Sequence, residues 1–123
     1  MSLTADLLRG YTDAILLRLL TAGESYGYEM NQELARISGG RFELKEATLY
    51  TAFRRLEESG CITARWGDEK SGARRRYYAL TPAGRERLAQ EQRAWEETRE
   101  LLDLLLLDGA SFADDMEEDR VIW

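Results

Sequence analysis

Thr48, Thr51 and Arg55 recur at helical spacing in the stretch Glu46-Ala-Thr-Leu-Tyr-Thr-Ala-Phe-Arg-Arg-Leu-Glu-Glu-Ser-Gly60. At about 100° per residue they share one side of a helix with Ala52, while Leu49, Phe53 and Leu56 stack on the other. Tyr50 and Arg54 run along one boundary. Gly60 supplies the residue type that tolerates a left-handed C-terminal position. Small residues, hydroxyls, an aromatic and arginines on one helix face have the chemistry of a surface that enters the major groove of duplex DNA. There arginine forks onto guanine, and threonine gives shape and methyl contacts. The pattern alone fits an ordinary amphipathic surface helix equally well. Lys45, at the helix start, is a poor cap where a hydroxyl or amide would serve; a phosphate explains it better.

Other chemistries are thinly supplied. The 123 residues contain no histidine and a single cysteine, Cys61. The imidazole base, an intrachain disulfide and a multi-cysteine zinc site are therefore excluded. Cys61 follows a helix stop and precedes a strand-like run, a place for a small core residue. Most Asp and Glu sit in helical runs beside Arg or Lys, so no enzyme, no metal and no cofactor is expected. The length suits one domain with an appended helix. No run of about 18 apolar residues and no secretory leader is seen, so the expectation is a cytoplasmic protein without a membrane span.

The net charge of −6 argues against a polyanion partner until it is divided. Residues 41–87 carry eleven Lys or Arg against seven Asp or Glu, and the remainder six against sixteen. A locally basic segment within an acidic chain is the footprint of a small DNA-binding unit on an acidic support.

The elements that must hold these residues follow from periodicity. A helix apolar around most of its circumference is expected from Ala5 to Thr21, part of it meeting another chain. Ser25 is the expected cap of a second helix, Tyr26 to Ile37, with Met30, Leu34 and Ile37 on its inner stripe. The Glu46–Gly60 helix is the third. Ile62, Ala64 and Trp66 then alternate with Thr63 and Arg65, and Tyr78 and Leu80 with Tyr77 and Ala79. A turn-rich stretch, 67–73, joins them into a β-hairpin whose return strand opens with Arg74, Arg75 and Arg76. Three helices and a basic hairpin describe a winged helix-turn-helix. Thr81-Pro82 starts a last helix by a hydroxyl cap and an N1 proline. Leu88, Trp95 and Leu102 recur every seven residues along it, with Leu106 on the same line and polar Gln92 and Arg99 between, a weak heptad seam. A helix of about 26 residues would span about 39 Å. So small a domain cannot cover it, which points to a second copy and a two-fold dimer.

Tyr26-Gly-Tyr-Glu29, Ala47-Thr-Leu-Tyr50 with Arg54-Arg-Leu-Glu57 and Gly60, and Arg75-Arg-Tyr-Tyr-Ala-Leu-Thr81 with Gly84 resemble, in order and spacing, the PadR family of bacterial transcriptional regulators. Thr12-Asp-Ala-Ile-Leu-Leu17 also fits, so the likeness spans roughly residues 10–107. It is nearest to the short, single-C-terminal-helix members that sense multiple drugs. The chain departs from the common pattern at Ala47 and Thr51, where many members have glycine and proline. The resemblance implies a homodimer whose first and last helices enclose a flat apolar pore, with a tryptophan from each subunit stacked on a planar aromatic ligand. Trp95 stands at the matching place, seven residues after Leu88, and Ala14 and Leu17 would form the neighbouring wall. Arg99, one turn below, would favour an anionic ligand such as a phenolic acid, or pair with Glu96 or Asp103.

The expectation is thus a mostly α fold with a small β-hairpin. It divides into a winged helix-turn-helix over 1–81 (wing about 62–80), a long C-terminal dimerisation helix over 82–107, and an acidic flexible tail over 108–123. As a ligand-responsive repressor on a pseudo-palindromic operator, it would use Thr48, Thr51 and Arg55 toward base edges. Lys45, Tyr50, Arg54, Arg74, Arg75, Arg76 and Tyr77 would face double-stranded DNA mostly at phosphates. The ligand set would be Ala14, Leu17, Leu88, Trp95 and Arg99. The rivals are a winged helix that binds protein and a constitutive DNA binder without effector; one contiguous arginine surface would favour DNA.

Overall fold

The structure, a computed structural model, describes residues 3–67 and 74–107. The expected wing loop at 68–73 and the acidic tail at 108–123 lie outside the described residues. Two compact units divide the chain, Met1–Ala89 and Gln90–Trp123.

The apolar N-terminal run is not one helix. It folds as α1 (Leu3–Leu8), a 3-10 turn (Arg9–Tyr11), α2 (Thr12–Leu19) and a second 3-10 turn (Leu20–Ala22). The Thr12 hydroxyl donates to the Arg9 carbonyl at 3.0 Å, a local bond that competes with the regular helix ladder. Leu16, Leu17 and Leu20 are fully buried in the core of the first unit.

A two-residue strand, β1 (Ser25–Tyr26), comes where a helix cap was expected. Ser25 lies opposite Tyr78 in the sheet, its hydroxyl donates to the Glu29 carboxylate, and Tyr26 takes the cap position with no side-chain bond. The following α3 (Gly27–Ile37) buries Met30 and Leu34. Ile37, the third member of the expected stripe, is exposed because the helix ends at that residue.

The segment from α3 to the next helix is fixed by one side chain. Asn31 donates from Nδ2 to the Leu44 carbonyl at 2.7 Å and accepts the Leu44 N–H at Oδ1 at 2.8 Å. Asn31→Ala would strand both backbone groups of the largely buried Leu44. The expected cost is about 1–3 kcal/mol, read as a fall in the denaturant midpoint. Asn31→Asp, which keeps only the acceptor, should lose part of that.

α4 (Glu46–Glu58) buries Leu49, Phe53 and Leu56 as expected, and Ala52 as well. Ala52 belongs to the buried side and not to the outer face expected for it, so the inner stripe is one residue wider than Leu49, Phe53 and Leu56 alone define. The helix stops at Gly60, whose φ is 79°. The Gly60 N–H donates to the Glu57 carbonyl and the Cys61 N–H to the Leu56 carbonyl, both at 3.0 Å. That pair of bonds satisfies two otherwise orphaned carbonyls.

β2 (Ile62–Trp66) and β3 (Arg76–Leu80) pair antiparallel, Ile62 opposite Leu80 through Trp66 opposite Arg76. With β1 on the other side of β3 the hairpin becomes a three-stranded sheet, ordered β1-β3-β2. Tyr78 stacks on Phe53 at 4.0 Å between centroids, which joins the sheet to α4.

Thr81 then couples the strand to α5 (Pro82–Leu106). Its hydroxyl donates to the Gly60 carbonyl at 2.7 Å and accepts the Gly84 N–H at 3.0 Å, the cap read from Thr-Pro. The first turns of α5 belong to the first unit, with Gly84 and Leu88 buried. In the second unit the helix surface is open to solvent, including Trp95, Leu101, Leu102 and Leu104 to Leu107. No helix among the described residues is long and apolar enough to cross a membrane.

Candidate nucleic-acid interface

The outer face of α4 carries Thr48, Thr51, Arg54 and Arg55, all exposed, with Tyr50 45% exposed at its edge. A cleft opens on each flank. One, of about 500 Å³, is lined by Tyr28, Tyr50, Trp66, Arg74, Arg75 and Arg76 among others. The arginines that open the wing strand therefore share one concave surface with Tyr50 and the start of α3. The second cleft, of about 340 Å³, is lined by Arg9, Thr12, Ala47, Thr48, Thr51 and Arg55. Lys45 caps α4 without a side-chain bond and stays exposed.

The wing arginines are held by aromatic rings. Arg74 and Arg76 lie over the Trp66 ring at 5.3 and 5.0 Å, and Arg75 over Tyr26 at 4.7 Å. Such cation–π placement orients a guanidinium without itself neutralising it. Arg76 is half-buried and also pairs with Glu57 at 3.6 Å. Tyr77 is half-buried, meets Tyr26 edge-on and lies under Arg65, whose fork pairs with Glu24.

Arg55 is engaged. Its Nε and Nη2 donate to Asp13 Oδ2 and Oδ1 at 3.0 and 2.5 Å. Asp13 Oδ2 also accepts from Arg87 Nη2 at 3.1 Å, so one carboxylate joins α2, α4 and α5. Burial alone would raise the Asp13 pKa; the Arg55 and Arg87 guanidiniums outweigh it and hold the carboxyl below its ordinary range. Burial likewise raises the Tyr78 hydroxyl. Sequence reasoning missed Asp13, Arg87, Arg9 and Trp66. The first two had no local signal, since their partners lie on distant elements. Trp66 had one: an aromatic ending a strand whose partner strand starts with arginines.

The expected ligand set is not assembled as read. Leu17 is 0% and Leu88 6% exposed, both within the core of the first unit, which removes them from any surface that a ligand meets in this conformation. The resemblance puts Leu17 on a pore wall and heptad spacing puts Leu88 in a seam; both side chains lie in the hydrophobic core. Ala14 is half-buried, Arg99 is exposed and Trp95 is 44% exposed. Among the described residues no cluster of His, Cys, Asp and Glu could hold a metal ion.

Residues 16–90 match the model of the transcriptional regulator PadR-like family. A transcriptional regulator from Mycobacterium tuberculosis is 38% identical over 82 residues, covering 64% of this chain and 71% of the relative. A transcriptional regulator structure from Clostridium thermocellum superposes with a TM-score of 0.76 at 40% identity, over 82% of this chain and 98% of its own. A PadR family transcription regulator from Clostridium difficile gives 0.68 at 32% identity, over 78% and 98%. Winged-helix architecture, an exposed α4 beside aromatic-held arginines, and a family match over most of the first unit agree: the chain belongs to the PadR-like family of DNA-binding transcriptional regulators and is not an enzyme.

Proposed function

We propose that the protein is a ligand-responsive repressor that binds a pseudo-palindromic operator as a homodimer in the cytoplasm. The observation that carries the DNA half of this reading is the outer face of α4, exposed and flanked by the cleft of Tyr50 and Arg74 to Arg76. Two such helices in successive major grooves would read half-sites about one helical turn apart. Thr48, Thr51 and Arg55 serve base edges. Lys45, Tyr50, Arg54, Arg74, Arg75, Arg76 and Tyr77 serve the backbone, which positions the protein and makes affinity fall with salt. Occupancy of the site is enough to block transcription. The gathering of Arg74, Arg75 and Arg76 in one cleft beside Tyr50 favours this reading over a protein-binding winged helix, with Arg55 in the cleft on the other flank of α4.

The dimer is supported by the second unit, where Trp95, Leu101, Leu102 and Leu104 to Leu107 leave an apolar helix surface uncovered in the single chain. Trp95 is the proposed stacking platform for a planar aromatic or phenolic effector, with Arg99 nearby in sequence for an anionic substituent. Ligand control requires that the effector bind two arrangements of the reading heads unequally.

Two measurements test the reading. Arg75→Ala should weaken operator and random duplex alike and lower the slope of log affinity against log salt by about 0.9; an unchanged slope removes Arg75 from the phosphate set. Trp95→Ala should abolish quenching of tryptophan fluorescence by flat phenolic or cationic aromatics while the sedimenting mass stays dimeric. Full ligand affinity in that variant refutes the stacking role.

A further inference from the structure

The atoms that join Arg55 to Asp13 matter for what Arg55 can still do. A guanidinium has five N–H donors in a planar fork. Asp13 takes the Nε–H and one Nη2–H, the side edge of that fork. Both Nη1 hydrogens and the second Nη2 hydrogen remain, and the two Nη atoms form the end edge. That edge matches a two-acceptor partner such as the O6 and N7 of guanine. The Arg55 side chain is 53% exposed despite its ion pair, and it lines the outer cleft with Thr48 and Thr51. Asp13 is only 17% exposed, and it meets Arg87 on its other side. With two guanidiniums on one carboxylate, the group carries no net negative charge toward DNA.

We infer that Asp13 is a specificity-determining positioning residue, which clamps the side edge of Arg55 so that its end edge reads a guanine in each operator half-site. The inference rests on the assignment of the outer face of α4 to base edges made above. An unclamped arginine at this position would have many rotamers and would meet any nearby phosphate; a clamped one has lost that freedom before binding. Preorganisation of this kind strengthens the matched contact and leaves the unmatched one unimproved. Specificity is the difference between the two.

The test uses the full-length protein and a duplex recovered by it from a randomised pool, compared with a mixed-sequence duplex. The expected result is one guanine per half-site whose replacement by 7-deazaguanine, which lacks the N7 acceptor, weakens wild-type binding roughly tenfold. Asp13→Asn should lose most of that penalty and narrow the ratio of operator to random affinity by a similar factor. Its random-duplex affinity should be equal to wild type or higher. A merely structural role would lower both affinities together and leave the 7-deazaguanine penalty intact, and that pattern overturns the inference. Arg55→Ala separates the two levels of the argument. If Arg55→Ala keeps the full guanine penalty, the base-reading assignment of Arg55 is itself wrong. If Arg55→Ala abolishes the penalty while Asp13→Asn keeps it, only the clamp is wrong. Should Asp13→Asn fail to fold, the wild-type complex decides by NMR. The Arg55 Nε–H resonance must stay protected from exchange when the selected duplex is bound; its loss of protection means that Arg55 leaves Asp13, and the clamp is refuted.

Discussion

Gly84→Ala is expected to cost the first unit about 3 kcal/mol or more, although alanine is the better helix former by about 1 kcal/mol. Propensity and sterics point in opposite directions here, and sterics is the larger. A Cβ on Gly84 would lie 2.1 Å from the Cys61 carbonyl oxygen, 3.0 Å from its carbon and 2.8 Å from Leu80 Cδ1. The leucine tip can turn away. The carbonyl cannot, because it accepts the Thr81 N–H at 3.1 Å, while the Cys61 N–H closes the end of α4 on Leu56. Moving it breaks the cap of one helix or the stop of another. Gly10→Ala is the matched control: nothing lies within 4 Å of its Cβ, and φ there is not in the left-handed region. Thermal unfolding followed by circular dichroism should show a fall of ten degrees or more for Gly84→Ala, at about 4–8 °C per kcal/mol. Gly10→Ala should stay within a few degrees. Equal melting temperatures would mean that the α5–Cys61 approach is not a constraint.

Phe53→Ala should be comparably severe, and it reaches function. Phe53 is 1% exposed, lies at 4.0 Å and 19° against Tyr78, and meets Tyr50 edge-on at 6.2 Å. Truncation leaves a void where α4 rests on β3, with an expected loss of about 3–5 kcal/mol. Native stability is typically about 5–15 kcal/mol, so a large share would go. DNA affinity measured well below the lowered melting temperature should also fall, because the outer face of α4 is aimed by what lies beneath it. Tyr50→Ala is the informative partner. It is half-exposed, so stability should change little while DNA binding weakens. If Phe53→Ala unfolds no more readily than Tyr50→Ala, the aromatic stack does not carry the load assigned to it.

What was legible in the sequence was local. The inner face of α4 followed from Leu49, Phe53 and Leu56 at helical spacing, its stop from Gly60, and the α5 start from Thr81-Pro82. Each signal and its structural consequence lie within a few residues. The alternation in 62–66 and 77–80 likewise exposed the hairpin. The misses needed information from far along the chain. Ser25 has a hydroxyl in a good capping place, and only the presence of Tyr78 opposite makes it a strand residue. Leu88 has seam spacing and Leu17 an expected place on a pore wall, and only the fold of the first unit shows both side chains buried in its core. Asp13 reads as an ordinary first-turn acid until Arg55 and Arg87 are seen on either side of it. Ala52 is a local exception: it lies three residues after Leu49 and four before Leu56, at the edge of the inner stripe, and so small a side chain weighs little in a periodicity.

The pairing of Ser25 with Tyr78 has a consequence for assembly. The strand that leads into α3 finds its partner only after about fifty further residues, so forming that rung closes a long loop at an entropic cost that helical contacts do not incur. The helices between them can close their own hydrogen bonds as soon as their residues exist; the sheet cannot. Non-local strand pairing of this kind raises contact order and slows folding relative to a plain helical bundle of the same length. Until β3 arrives, Phe53 has no Tyr78 to stack on and α4 has no wing beside it. A nascent or truncated chain ending before residue 78 would thus hold helices with nothing to aim them, and competence to read DNA would arrive in one step with the closing strand.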